Sequence, residues 1–228
     1  EADVKIIRTV CGDIDPARLG ITATHEHLWC DQGIGERAEV SRFPGISEKM
    51  YMGDRQLILQ ELQEFHQAGG RAVAEMTSDG WGRDVTVLKE ISEAAGVHVI
   101  AISGAYIEEF LPEYFYNMDI DELAEHYARE ITTGVERTGI RTGLLKAAVS
   151  RRVVEQAEEK GARSVARAQR KTGVAITTHT NASTRFEIEG GNCGMLLLDI
   201  FEQEGVDLRR VIVGHTDENA DIRQLTRL

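Results

Sequence analysis

Cysteine, proline, positive charge and long apolar runs are all scarce in this chain of 228 residues, and each scarcity excludes something. No apolar stretch approaches the roughly 20 residues of a membrane-spanning helix, so no membrane partner is expected. The three cysteines, Cys11, Cys30 and Cys193, are odd in number and include no C-x-x-C pair. That argues against a disulfide framework and for a reducing compartment. No signal peptide is visible behind Glu1, and a cytoplasmic location is expected. There are only three prolines, and no linker or low-complexity stretch interrupts the sequence, so residues 1–228 are expected to form a single domain. Lys and Arg number 26 against 38 Asp and Glu, a net charge of −12. This excludes a nucleic-acid footprint and an anionic membrane surface. What remains is an ordinary globular mixture, long enough to bury a sizeable core.

The pattern alternates strand and helix. Short runs rich in Val, Ile and Ala recur at 21–24, 72–76, 97–102, 143–149, 174–178 and 211–213. Such runs read as buried parallel strands. Between them lie helical stripes: Leu57, Ile58, Leu62 and Phe65; then Val85, Leu88, Ile91 and Ala95; then Ile120, Leu123, Ala124, Tyr127 and Ile131 behind a cap at Asp119. Four times a Gly precedes a β-branched residue, at Gly96-Val97, Gly139-Ile140, Gly173-Val174 and Gly205-Val206. A Gly just past a helix end accepts the left-handed conformation needed there. The repeat is therefore helix, Gly stop, strand, as in an α/β fold. Residues 4–13 read as an N-terminal hairpin, and 184–194 as a flexible insertion.

Four histidines fall at the carboxyl ends of these runs, where function gathers in parallel α/β folds. His25 and His27 are two apart, so in a strand they face the same way and can hold a metal ion between them. His179 follows one run and His215 another, 36 residues later, about one strand–helix repeat. Singly, each is more often a satisfied polar residue than a ligand. Four at equivalent ends are hard to explain as packing. His66 and His126, on helices, and His98, at a strand start, read as structural or solvated. Lys146 lies in the apolar run Leu144-Leu145-Lys146-Ala147-Ala148. One reading is a lysine at a strand end whose amine reaches water. The other is a buried, neutral amine that takes up carbon dioxide, giving a carbamate whose two oxygens bridge two cations.

Thr24-His25-Glu26-His27, Lys146 in its run, Thr177-Thr178-His179-Thr180-Asn181-Ala182 and Val213-Gly214-His215-Thr216-Asp217 resemble the phosphotriesterase family of the amidohydrolase superfamily. Gly82-Arg83-Asp84-Val85 and residues 136–143 fit it too. The resemblance implies a (β/α)8 TIM barrel, of which this chain supplies roughly strands one to six plus the hairpin. It implies two divalent metal ions. His25 and His27 would bind the buried ion, His179 and His215 the exposed one, and carboxylated Lys146 with a hydroxide would bridge them. Imidazole and carbamate suit zinc foremost, and also cobalt, iron or manganese. The expected reaction is attack of hydroxide on a lactone carbonyl or an organophosphate triester. The segment from Gly104-Ala105-Tyr106-Ile107 to Tyr116 looks more like the lactonase branch. There Tyr106 matches a tyrosine that leans over the metals, a catalytic and substrate-binding position. Tyr114, Phe115 and Tyr116 read as ordinary packing.

One departure stands against this. The family carries a metal-binding, proton-accepting Asp on strand eight, and the sequence given ends 13 residues after His215, at Leu228. Strands seven and eight are expected to be missing from it. Asp217 is placed near the site, supporting a ligand rather than replacing that Asp. The competing expectation is a metal-binding fragment or pseudoenzyme without turnover. The partner is a small-molecule ester, and a homodimer is expected of the complete protein.

Overall fold

A computed structural model describes residues 5–31, 51–149, 154, 156–180 and 193–216, except the side chain of Cys193. In chain order the elements are β1 (Ile7–Thr9), β2 (Gly12–Ile14), β3 (Ile21–Glu26), α1 (Arg55–Gln67), β4 (Gly70–Glu75), α2 (Val85–Ala95), β5 (His98–Gly104), α3 (Glu113–Asn117), α4 (Ile120–Thr132), β6 (Leu144–Val149), α5 (Gln156–Thr172), β7 (Ile176–Thr180), α6 (Cys193–Gln203) and β8 (Val211–Ile212). The chain divides into two compact units. One comprises Glu1–Ser103 with Arg129–Gly143, the other Gly104–Ala128 with Leu144–Leu228. No described helix is long and apolar enough to cross a membrane.

In the first unit β3, β4 and β5 run parallel in sequence order. Helices α1 and α2 return the chain between them and pack on each other. Asp54 caps α1 by accepting from the backbone of Gln56 and Leu57. Asp84 caps α2 in the same way, and Gly96 ends it at φ +67°. Ile58, Leu62, Leu88, Ile91, Val73 and Val99 belong to one buried cluster. Leu57 does not join it and is 53% exposed. At 3.6 residues per turn it sits about 100° from Ile58, off the stripe that Ile58, Leu62 and Phe65 define. The expected hairpin is β1 paired antiparallel with β2. It docks through Val10 N–H on Val99 O (2.9 Å) and Arg8 Nη1 on Ile131 O (2.7 Å).

In the second unit β6, β7 and β8 run parallel, with Lys146 beside Thr177 and Ala148 beside His179. Strand β7 starts and ends two residues later than its apolar run. Backbone pairing to β6 carries it through Val149↔Thr180, although its last residues are polar. His179 therefore lies inside the strand rather than past its end. Helix α4 opens on the expected cap as a reciprocal box. Glu122 N–H donates to Asp119 Oδ1 (2.9 Å), and Asp119 N–H donates to Glu122 Oε2 (2.8 Å). Helix α5 packs on β6, with α6 against it. The buried residues of α5 include Gly161, Ala162, Val165, Ala166 and Ala168, with the polar Glu158, Ser164 and Gln169. A Cβ on Gly161 would stand 2.7 Å from Ala105 Cβ, so small residues set this close approach. Gly194 belongs to α6, which corrects the expected insertion there. The rest of that insertion, at 184–192, lies outside the described residues.

Candidate metal centre

Each unit carries one cluster of the expected site residues, and the two are described separately. In the first unit β3 ends at Glu26, one residue before His27. Its pairing slips across the stretch that holds His25: Ala23 opposes Val73, yet Glu26 opposes Glu75, three steps against two. A bulge of this kind re-aims side chains at a strand end. The rings of His25 and His27 neighbour each other, with centroids 5.8 Å apart and planes at 70°. Trp81 lies against His27 at 4.4 Å between centroids. Thr77 Oγ1 stands 2.9 Å from His27 Nδ1.

The Gly82-Arg83-Asp84-Val85 segment holds this end of the unit together. Gly82 closes the Trp81 turn at φ +89°, and a Cβ there would stand 2.3 Å from Asp31 O. Only glycine lets the turn approach the stretch following His27. Arg83 forks onto Glu130 at 2.9 and 2.7 Å and donates to Ile102 O at 2.6 Å. Ser103 Oγ donates to the same carboxylate and lies 2.7 Å from Thr142 Oγ1. Asp84 caps α2, and Val85 enters the core.

In the second unit Lys146 is the third residue of β6 and is 0% exposed. The reading in which its amine reaches water from a strand end is thereby removed. Its Nζ stands 4.6 Å from the centroid of the Tyr106 ring. Tyr106, 6% exposed, also packs edge-on against His179, centroids 4.9 Å apart. His179 Nδ1 and His215 Nε2 are 3.0 Å apart. The cluster is thus Lys146, Tyr106, His179 and His215, side by side. Gly104, at φ +130°, makes it possible: a Cβ there would stand 2.1 Å from Lys146 O. Ala105 N–H then donates to that same carbonyl at 3.0 Å.

Asp217 lies outside the described residues. Among the described residues no group of three or more His, Cys, Asp or Glu side chains is set to hold a metal ion. The second unit's cluster contributes two imidazoles and an amine, and an amine becomes an oxygen ligand only after modification. The three remaining histidines behave structurally. His66 and His126 sit on α1 and α4, and His98 opens β5. Burial, then the charge of Arg18, pushes the His98 pKa down. Phe115 is buried and Tyr116 exposed, as expected of packing around a short helix. Glu75, Thr77 and Trp81 belong to no motif that the sequence displays. A carboxylate inside the apolar run 72–76 was the available signal.

These strand–helix repeats, with polar side chains gathered at their strand ends, define an α/β protein. The description of the phosphotriesterase family matches residues 5–228, and the chain belongs to that family. It is 29% identical over 232 residues to a phosphotriesterase homology protein of Mycobacterium tuberculosis, covering 97% of this chain and 67% of that one. It is 29% identical over 217 residues to an aryldialkylphosphatase of Saccharolobus solfataricus, covering 94% and 64%. The fold superposes on a lactonase from Listeria monocytogenes with a TM-score of 0.83 at 26% identity, over 98% of this chain and 69% of that one. The fold is that of the (β/α)8 barrel, with β3 to β8 as its parallel strands among the described residues. The chain spans about two thirds of the length of the relatives it matches.

Proposed function

We propose that this chain belongs to a binuclear metal-dependent hydrolase that opens lactones or cleaves organophosphate triesters. His25 and His27 hold one ion, His179 and His215 the other, and Lys146, carried as its carbamate, bridges them. The observation that carries this reading is the convergence of His179 Nδ1 and His215 Nε2 beside a fully buried lysine. Two imidazole nitrogens on one tetrahedral zinc, each at about 2.0–2.1 Å, stand roughly 3.3 Å apart. The observed 3.0 Å is close to that spacing. A buried ammonium is costly, whereas a carbamate is a ligand with two oxygens. In its formation the neutral amine nitrogen bonds to the carbon of carbon dioxide, and one N–H proton leaves to solvent.

When bound, the two ions lower the pKa of water and polarise the oxygen of the scissile group. The protein's own residues do the rest. His25 and His27 come from the end of β3, His179 from β7 and His215 from the turn after β8. The Tyr106 ring covers the Lys146 amine and keeps water from it. Tyr106 packs against His179, and in this reading it would touch the substrate. The similar protein named a lactonase supports the lactone, and the one named an aryldialkylphosphatase supports the triester.

The test is hydrolysis of an acyl-chain lactone and an aryl dialkyl phosphate, before and after chelation and after return of zinc, cobalt or manganese. The full-length protein should turn over at least one of them, lose that activity to chelator and regain it with metal. Turnover insensitive to chelation, or none with any metal, would remove the proposal.

A further inference from the structure

We infer that Thr77 and Glu75 are positioning residues that hold His27 as one tautomer, with the proton on Nδ1 and the lone pair on Nε2. Glu75 ends β4 and is 0% exposed, a buried carboxylate directly after the apolar Ala72-Val73-Ala74. Its oxygens are spent as acceptors. Oε1 takes the Leu28 backbone N–H at 3.2 Å, and Oε2 takes the Thr77 N–H at 3.2 Å. The Thr77 hydroxyl donates to Oε1 in a short hydrogen bond.

A threonine hydroxyl has one proton and two lone pairs. With the proton given to Glu75, the oxygen can only accept from its other neighbours. These are His27 Nδ1 at 2.9 Å and Cys30 Sγ at 3.2 Å. His27 must then donate from Nδ1, and the second ring nitrogen carries the lone pair. The Cys30 thiol donates to the remaining lone pair, which fills the hydroxyl's capacity. The Glu75 contact to Leu28 fixes the backbone directly after His27, so ring and main chain are held by one carboxylate. Partners behind a ligating imidazole set its tautomer and basicity, and losing them typically costs about 10–100-fold in metal affinity.

The tautomer stands independently of any metal, and only its consequence for metal affinity rests on the proposed function. Both are measured on metal-free full-length protein with 15N-labelled histidine. Long-range 1H–15N correlation should show His27 protonated at Nδ1. Thr77→Val should release that preference, and Thr77→Ser, which restores the hydroxyl, should recover it. Zinc titration should show Thr77→Val about 10–100-fold weaker than wild type and Thr77→Ser close to it. His27 protonated at Nε2 in the unaltered protein would overturn the inference without any variant. A Thr77→Val protein with unchanged tautomer and affinity would overturn it as well. Wild-type protein that binds no zinc yet shows the Nδ1–H tautomer would fail the metal reading and uphold the positioning role.

Discussion

His179 and His215 meet nitrogen to nitrogen, 3.0 Å apart, where two threonines of β7 fasten the turn after β8. Thr178 Oγ1 accepts from Gly214 N–H at 3.0 Å, and Thr180 Oγ1 donates to Gly214 O at 2.7 Å. His215 is then driven to φ +57°, where a side chain other than glycine's is strained. Strained backbone gathers at functional sites when the surroundings over-determine it.

That strain gives a first prediction. His215→Gly should lose the imidazole yet be more stable than His215→Ala by about 1 kcal/mol, because only alanine keeps the left-handed cost. Equal unfolding midpoints for the two variants would show that the backbone is not strained there.

Gly214 gives a second. A Cβ at this position would stand 2.1 Å from Thr178 O, a backbone atom that cannot turn aside. Gly214→Ala should destabilise by about 1–3 kcal/mol and weaken zinc binding by pushing His215 from His179. Calorimetric unfolding and metal titration read the two effects. Unchanged zinc affinity would separate the strand fastening from the site.

The Arg83–Glu130 pair gives a third. Its side chains are only 2% and 7% exposed. Removing one partner leaves a buried charge, so Glu130→Ala should cost about 3–5 kcal/mol, whereas replacing both residues with methionine should cost less. Urea midpoints of the two proteins test the order. A double variant weaker than the single one would contradict it.

Glu204 gives the acid-side prediction. The Arg167 hydrogen bond holds its carboxyl below the ordinary value of 4.5; burial opposes this, and Arg163 adds to it. A depressed folded value means stability that is present above 4.5 and is lost as pH falls through the folded value. Glu204→Gln should therefore flatten the fall of the unfolding midpoint in acid below about 4.5. An identical acid slope would assign that loss to other carboxylates.

Much of this was legible in the sequence because periodicity and burial agree there. The stripe Val85, Leu88, Ile91 and Ala95 is buried throughout, and Asp119 and Gly96 cap helices as their residue types predict. Lys146, His179, His215 and Tyr106 were each singled out, and the second unit gathers all four. What escaped notice has physical causes. The inner face of α5 is mostly small or polar, with Val165 its one large apolar side chain, so it makes no strong apolar stripe. The bulge in β3 depends on pairing with β4, which one strand's sequence does not contain. Glu75 and Thr77 matter through His27, 50 residues upstream of Thr77, and sequence spacing carries no trace of that contact.

The central claim is that Lys146 bridges two ions as a carbamate. The most direct measurement is metal content per chain together with 13C NMR of full-length protein supplied with 13C-bicarbonate. The account predicts two divalent ions and one carbamate resonance. The resonance should vanish in Lys146→Ala, and one ion should be lost in His25→Ala or His27→Ala. Two bound ions with no carbamate signal, or a signal that survives Lys146→Ala, would contradict the bridge. Metal content unchanged in both histidine variants would contradict their assignment as ligands.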